Sequence, residues 1–378
     1  MGNYVRWPRE IGFEVDYKLV GIGRAYGQPN NFEGDFPRLY HNDGDGRFTD
    51  VSEQSGVQVR NRATGVPAAK TLGVAPVDLD ADGWIDLVIA NDTVQNFVFL
   101  NQRDGTFREI GALAGIAFDP YGNTHGAMGI DTAWFRNDAK LGITMGNFAN
   151  EMTALYVAQN TPTSFADEAI PEGVGPASRL LLKFGALFLD YDLDGWPDLL
   201  SANGHLEDEI GKIQKSQTYA QPAQLFWNAG AGQGGFLVVP PHKVGGDLFK
   251  PIVGRGSAYA DIDADGDLDV VLTLVGGPPL LLRNDQALGH HWLRVRLIGK
   301  KSNRDAIGAW VTLRAGGITQ TRQVMPTRSY LSQSELPFTF GLGKTERLDS
   351  LEITWPGGAK QEVSPPAVDQ FLVIQQRD

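Results

Sequence analysis

Apolar residues along this chain fall in short runs that stop at Asn, Asp or Gly, with polar turns between them. Leu39-Tyr-His-Asn-Asp-Gly-Asp-Gly-Arg-Phe48 and Phe99-Leu-Asn-Gln-Arg-Asp-Gly-Thr-Phe107 read as strand–turn–strand hairpins, and Leu225-Phe-Trp-Asn228 opens a third. The longest apolar stretch, near Leu180–Leu189, is broken by Lys183 and is too short to span a bilayer. The pattern predicts an all-β chain of small sheets.

Internal repetition organises these runs. Val77-Asp-Leu-Asp-Ala-Asp-Gly-Trp-Ile-Asp86, Leu189-Asp-Tyr-Asp-Leu-Asp-Gly-Trp-Pro-Asp198 and Ala260-Asp-Ile-Asp-Ala-Asp-Gly-Asp-Leu-Asp269 align without gaps. A fourth copy, Ala133-Trp-Phe-Arg-Asn-Asp138, keeps the frame and loses most acidic positions. First positions lie at 78, 134, 190 and 261. A glycine precedes each by five residues (Gly73, Gly129, Gly185, Gly256), and Asn91, Asn147 and Asn203 follow the first three by thirteen. Each unit has room for about four strands, which predicts a β-propeller of about four to five blades over residues 1–284. Gly2-Asn3 resembles Gly146-Asn147, so the chain is expected to begin inside a blade, by truncation or late initiation. That half blade is expected to pair with the last one and seal the ring, because unpaired edges invite aggregation.

The acidic turns carry the chemistry. Alternating carboxylates at loop positions 1, 3 and 5, a Gly at 6 for the tight turn, a carbonyl at 7 and a carboxylate at 9 suit calcium, which takes six to eight oxygens in flexible geometry. The expected ligands are Asp78, Asp80, Asp82, Trp84 and Asp86; Asp190, Asp192, Asp194, Trp196 and Asp198; and Asp261, Asp263, Asp265, Asp267 and Asp269. Without a cation such carboxylates would repel one another or take up protons. An EF-hand is excluded, because Ile89, Ser201 and Leu272 stand where it needs a Glu. Magnesium, which prefers water-rich octahedral sites, is less suited. Acidic surface turns without metal remain the plain alternative for any one loop and fit three loops in register poorly. The loop at 134 is expected to bind no calcium, with the Arg136 guanidinium standing where a cation would be. Trp84 and Trp196 read as packing between blades in preference to ligand stacking.

Composition changes the picture in two ways. The formal net charge of −12 argues against nucleic acid, and without the thirteen loop aspartates it would be +1, so the acidity is local to the loops. There is no cysteine, which removes thiolate chemistry, disulfides and Cys-based zinc sites. The start, Met1-Gly2-Asn3-Tyr4-Val5-Arg6, has no apolar signal core. No zincin, nucleophile-elbow, Walker or dinucleotide motif occurs. His290-His291 reads as a solvated linker, and Asn303-Arg304-Asp305 as a polar loop bonding its own backbone.

From Trp292 to Ile374 the repeat is replaced by alternation of a different kind, as in Trp292-Leu-Arg-Val-Arg-Leu297 and Leu351-Glu-Ile-Thr-Trp355. Seven or eight short strands and a small β-sandwich over 285–378 are expected. The acidic loops with Phe184-Gly185-Ala186 resemble FG-GAP/VCBS repeats. Ser302-Asn-Arg-Asp-Ala-Ile-Gly-Ala309, Ser329-Tyr-Leu-Ser-Gln-Ser334, Phe340-Gly-Leu-Gly343 and Trp355-Pro-Gly-Gly358 resemble the ASPIC/UnbV domain. Together they are similar to the cartilage acidic protein family. The resemblance implies a calcium-binding propeller with a C-terminal β domain, extracellular or periplasmic, acting as a non-catalytic adhesion or binding module for a protein, glycan or small molecule. A natural-product accessory enzyme using a propeller-channel pocket is the alternative it implies. Two residues depart from the pattern: Trp134 in place of the first Asp, and Trp310 in place of the Arg common after Gly-Ala.

Overall fold

The computed structural model describes residues 1–230 and 232–378. After a two-strand ribbon, β1 (Lys18–Leu19) and β2 (Gly23–Arg24), and the hairpin β3 (Tyr40–Asn42) with β4 (Phe48–Asp50), come three four-stranded antiparallel meanders. The first is β5 (Thr71–Val77), β6 (Asp86–Asn91), β7 (Phe97–Asn101) and β8 (Phe107–Glu109). The second is β9 (Ile130–Ala133), β10 (Gly142–Met145), β11 (Ala154–Ala158) and β12 (Phe165–Asp167). The third is β13 (Lys183–Leu189), β14 (Asp198–Asn203), β15 (Gln224–Asn228) and β16 (Phe236–Val238). A fourth sheet holds three strands, β17 (Gly254–Ala260), β18 (Asp269–Leu274) and β19 (Leu280–Leu282). These are the blades of an all-β propeller architecture, and each acidic loop joins the first strand of a blade to its second.

The spaced glycines set the distance between blades. A Cβ on Gly73 would lie 2.4 Å from the Met128 carbonyl, one on Gly129 2.2 Å from that of Phe184, and one on Gly185 2.8 Å from that of Arg255. Each glycine therefore lets the first strand of one blade touch the first strand of the next. In the last blade Gly256 meets Ser332 and Tyr330 of the tail instead, at 2.5 and 3.0 Å from its would-be Cβ.

The tail has nine strands, where seven or eight were expected: β20 (His291–Ile298), β21 (Trp310–Ala315), β22 (Ile318–Gln323), β23 (Thr327–Arg328), β24 (Ser332–Gln333), β25 (Phe338–Gly343), β26 (Ser350–Thr354), β27 (Lys360–Val363) and β28 (Gln370–Gln375). Seven form two sheets, β25-β20-β28 and β22-β21-β26-β27, around one core that includes Leu293, Val295, Leu313, Phe340 and Ile353. The other two, β23 and β24, form a hairpin that leaves the sandwich and packs on the blades' inner strands, β23 on β5 and β9 and β24 on β17. Ser329 and Ile130 exchange backbone hydrogen bonds there (2.8 and 3.3 Å), and the Tyr259 amide donates to Ser334 Oγ (3.2 Å).

The amino terminus corrects one expectation and fulfils another. The Asn3 carbonyl accepts from the Thr71 amide (3.0 Å) as Asn147 does from Lys183 (3.2 Å). Its side chain donates to Phe36 O (2.8 Å) as Asn147 does to Met152 O (2.7 Å). Asn3 is thus the structural counterpart of Asn147. The half blade does not pair with the last one; it lies beside β5, its neighbour in sequence, with Val5 bridged to Gly34. The partners of residues 1–5 include Thr71, Gly34, Phe36 and Arg38, all on the side of the first blade. The tail hairpin takes the place beside the last blade.

Replacing Gly129 by Ala is expected to cost roughly 1–3 kcal/mol by overpacking, whereas Gly246→Ala, with open space around its Cα, stays within about 0.5 kcal/mol of neutral. Urea unfolding of the two variants checks the pair.

Candidate metal centres in the blade loops

The three acidic loops share one hydrogen-bond plan. The position-6 amide donates to the position-1 carboxylate: Gly83 to Asp78 Oδ2 (3.0 Å), Gly195 to Asp190 Oδ2 (2.9 Å) and Gly266 to Asp261 Oδ2 (3.1 Å). The position-7 amide donates to the position-5 carboxylate: Trp84 to Asp82 (2.8 Å), Trp196 to Asp194 (2.9 Å) and Asp267 to Asp265 (3.2 Å). Position 6 has positive φ in all three (89°, 94° and 103°), as the glycine there predicts. Position 4 is also left-handed, at Ala81, Leu193 and Ala264 (58°, 59° and 63°), which no glycine announced.

This turn brings most of the expected ligands together. Carboxylate oxygens of Asp78, Asp80 and Asp86 lie within 4.8 Å of one another, as do those of Asp190, Asp192 and Asp194 and those of Asp261, Asp263 and Asp265. Asp82 falls outside the first group and pairs with Arg103 (2.7 Å). Asp198 and Asp269 fall outside theirs. The position-9 carboxylates act as brackets, accepting from Leu79, Tyr191 and Ile262 amides at one oxygen and from Asn101, Asn228 and Asn284 amides at the other, all at 2.8–3.0 Å. Those three asparagines are functional positions the sequence reading passed over. Their signal was an Asn closing the third strand of a blade, a residue strands ordinarily avoid.

The donor sets fit a hard divalent cation. Asp80 Oδ1, Asp190 Oδ1, Asp261 Oδ1 and Asp267 Oδ1 are buried oxygens with no hydrogen-bond partner, at least one in every loop. A buried oxygen left unpaired costs free energy, and ligation by calcium would remove that cost. Electrostatics point the same way. Burial and neighbouring carboxylates push Asp86 up to about 7 and Asp194 up to about 6, and burial with a hydrogen bond to Asp265 pushes Asp267 up to about 8. Burial raises Asp78 and Asp192 as well, and Asp190 and Asp198 well above the usual carboxylate range.

The loop at 134 keeps the turn and not the ligands. Asn137 holds the left-handed position-4 conformation (50°), but Arg136 turns out to Glu168 and Glu172 and does not sit at the centre of the loop. Trp134 packs edge-on against Trp310 of the tail, ring centroids 4.5 Å apart. Trp196 lies against Gly230 of its own blade, not between blades, and Trp84 is 47% exposed. His290-His291 is not a solvated linker: the His290 ring meets the Asp192 carbonyl (2.6 Å) and the His291 ring meets Asp369 (2.7 Å). Asn303 bonds Ile307 in both directions (2.8 Å each), as a polar loop should. Between the tail and the blades lies a cavity of about 60 Å³ lined by Asp131, Trp134, Tyr259, Arg322 and Arg328. Ligand sites usually offer about 300 Å³ or more.

An FG-GAP-like repeat model matches residues 78–141 and 190–272, and an ASPIC and UnbV model matches 299–378. Cartilage acidic protein 1 of Homo sapiens is 30% identical over 318 residues, 82% of this chain, and that of Xenopus tropicalis 29% identical over 307 residues, 79% of this chain. The chain spans 43% of the length of each of these relatives. Among solved structures, an Agrocybe aegerita lectin recognising non-reducing terminal N-acetylglucosamine overlaps with a TM-score of 0.36 at 15% identity, covering 79% of this chain and 80% of its own. At that overlap the likeness carries no information about ligands.

The raised carboxyls give the metal-free protein a characteristic pH response. Groups whose folded-state pKa lies above the unfolded value bind more protons when folded, so their contribution is complete below about pH 4 and is lost as pH rises through about 6–8. The melting temperature of calcium-stripped protein is therefore expected to fall between about pH 5 and pH 8.5, and saturating calcium to flatten or reverse the trend, since protons compete for the same oxygens. Equal slopes with and without calcium would count against metal ligation.

Proposed function

Because the chain carries FG-GAP-like repeats followed by an ASPIC and UnbV domain, we propose that it is a calcium-stabilised, non-catalytic binding module that works outside the cell. The repeats would occupy residues 1–284 and the second domain 285–378, a division supported by the last blade strand ending at Leu282 and the first tail strand starting at His291. The observation that carries the reading is the orphaned buried carboxylate oxygen in each acidic loop. Calcium would be held by Asp78, Asp80, Asp82, Trp84 and Asp86; by Asp190, Asp192, Asp194, Trp196 and Asp198; and by Asp261, Asp263, Asp265, Asp267 and Asp269. Metal would join the turn's far side to its near side and so stiffen each blade where its first two strands meet.

The extracellular setting rests on the cartilage acidic protein relatives. Among the described residues no helix is long and apolar enough to cross a membrane. A binding role for a protein or glycan partner is favoured over catalysis by the FG-GAP-like repeats and the cartilage acidic protein relatives.

Elemental analysis of protein purified in calcium is expected to find up to three ions per chain, with none assigned to the loop at 134. Calcium titration is expected to raise the melting temperature, each site adding about 2.7 kcal/mol at a hundred times its dissociation constant. Protein that binds no calcium and melts identically in chelator would end this reading.

A further inference from the structure

The three acidic loops differ in what covers them. In the loop at 190–198, Asp190 is 4%, Asp192 8% and Asp198 0% exposed, while Asp263 and Asp265 of the third loop are open to solvent. The cover comes from the tail and the connector before it. Gly341 of β25 comes so close that a Cβ there would lie 2.2 Å from Asp190 Oδ2 and 2.5 Å from the Leu193 carbonyl carbon. The Gly343 amide donates to Leu193 O (2.8 Å), Asn284 Nδ2 to Tyr191 O (2.6 Å), and the His290 ring meets Asp192 O (2.6 Å). Three consecutive carbonyls of the turn are thus held by residues outside their own blade: Asn284 at the end of the last blade, His290 of the connector and Gly343 of the tail. Beneath them Asp190 Oδ1 is buried without a partner.

We propose that the loop at 190–198 is an inter-domain staple, whose divalent cation is enclosed by the tail strand 338–343 so that tail docking and cation retention form one equilibrium. This rests on the calcium reading above and adds to it a role for the tail. By linkage, a docked tail tightens binding of this ion, and the ion in turn holds the tail down by the same coupling free energy; a closed cover also blocks the ion's way out. At the first loop, among the described residues, the tail reaches only the Ile85 side chain, 3.4 Å from a would-be Cβ on Gly308, and not the carbonyls of the turn, although Asp78 and Asp86 are buried there too. At the third, Arg294 of β20 reaches Asp261 (2.7 Å) and supplies a fixed cation of the tail's own. The tail thus grips one loop around a metal and another with an arginine.

Two measurements test the staple. Protein saturated with calcium is passed into chelator, and bound metal is followed by elemental analysis. One ion per chain is expected to leave roughly tenfold or more slowly than the rest, a gap equivalent to about 1.4 kcal/mol in the barrier to its release. Asp80→Asn removes a fast ion and spares the slow one; Asp190→Asn removes the slow one. Gly341→Ala, which forces β25 off the loop, turns the slow ion into a fast one. The second measurement is proteolysis of the connector at 283–290, expected to be at least about tenfold faster in Asp190→Asn and in fully stripped protein. Ions that all leave together, or a connector equally protected in Asp190→Asn, overturn the staple and leave calcium binding intact. A chain that takes up no calcium overturns both. Should Gly341→Ala not fold, the wild-type exchange rates and Asp190→Asn decide alone.

Discussion

Like charges crowded into a buried turn are the constraint on which the rest of this molecule depends. A nine-residue loop that aims three or more carboxylates at one point has few ways out: protonation, a fixed cation, or a metal. The structure shows signs of the first two and fits the third. Raised carboxyls mark the first, Arg103 at Asp82 and Arg294 at Asp261 the second, and the orphaned oxygens of Asp80, Asp190 and Asp261 leave room for the third. The position-9 aspartates tie each loop to the third strand of its own blade through the Asn101, Asn228 and Asn284 amides. A change of charge state in the loop is therefore felt by the whole sheet.

The loop at 134 separates backbone from ligands. Its Asn137 adopts the same left-handed conformation as Ala81, Leu193 and Ala264, and Asp138 still accepts from the Lys140 amide (2.8 Å), so this half of the turn forms without the position-1, -3 and -9 carboxylates. Where the first ligand is lost, its replacement Trp134 docks on Trp310. Two departures from the repeat and tail patterns, 176 residues apart in sequence, are one contact in space. At that blade aromatic packing holds the tail; at the next two, charged loops meet it.

The tail is as much a part of the propeller as the blades. Gly256 touches Tyr330 and Ser332 where Gly73, Gly129 and Gly185 touch the next inner strand. The buried pair of Arg328 and Asp131 (2.8 Å) then fixes the hairpin against β9. A hairpin that offers backbone partners to β9 and a side-chain partner to β17 does the work expected of an amino-terminal half blade.

The acidic turns, hairpin positions, spaced glycines and the role of Asn3 were legible in the residues, because each is encoded over a few neighbours by covalent spacing and turn chemistry. Gly83, Gly195 and Gly266 announce their positive φ; the Asp-x-Asp-x-Asp frame announces convergence. Which carboxylates converge was only partly legible, since Asp82 chose Arg103 and Asp198 and Asp269 face backbone amides outside their groups. The covering of Asp190 by Gly341, the hold of His290 on Asp192 and the insertion of 327–333 among the inner strands were not legible at all. Those pairings join residues roughly 70 to 200 positions apart, and no local pattern records which distant surface will arrive. Sequence set the turn; only the packing of the tail onto it decided which turns are open and which are sealed.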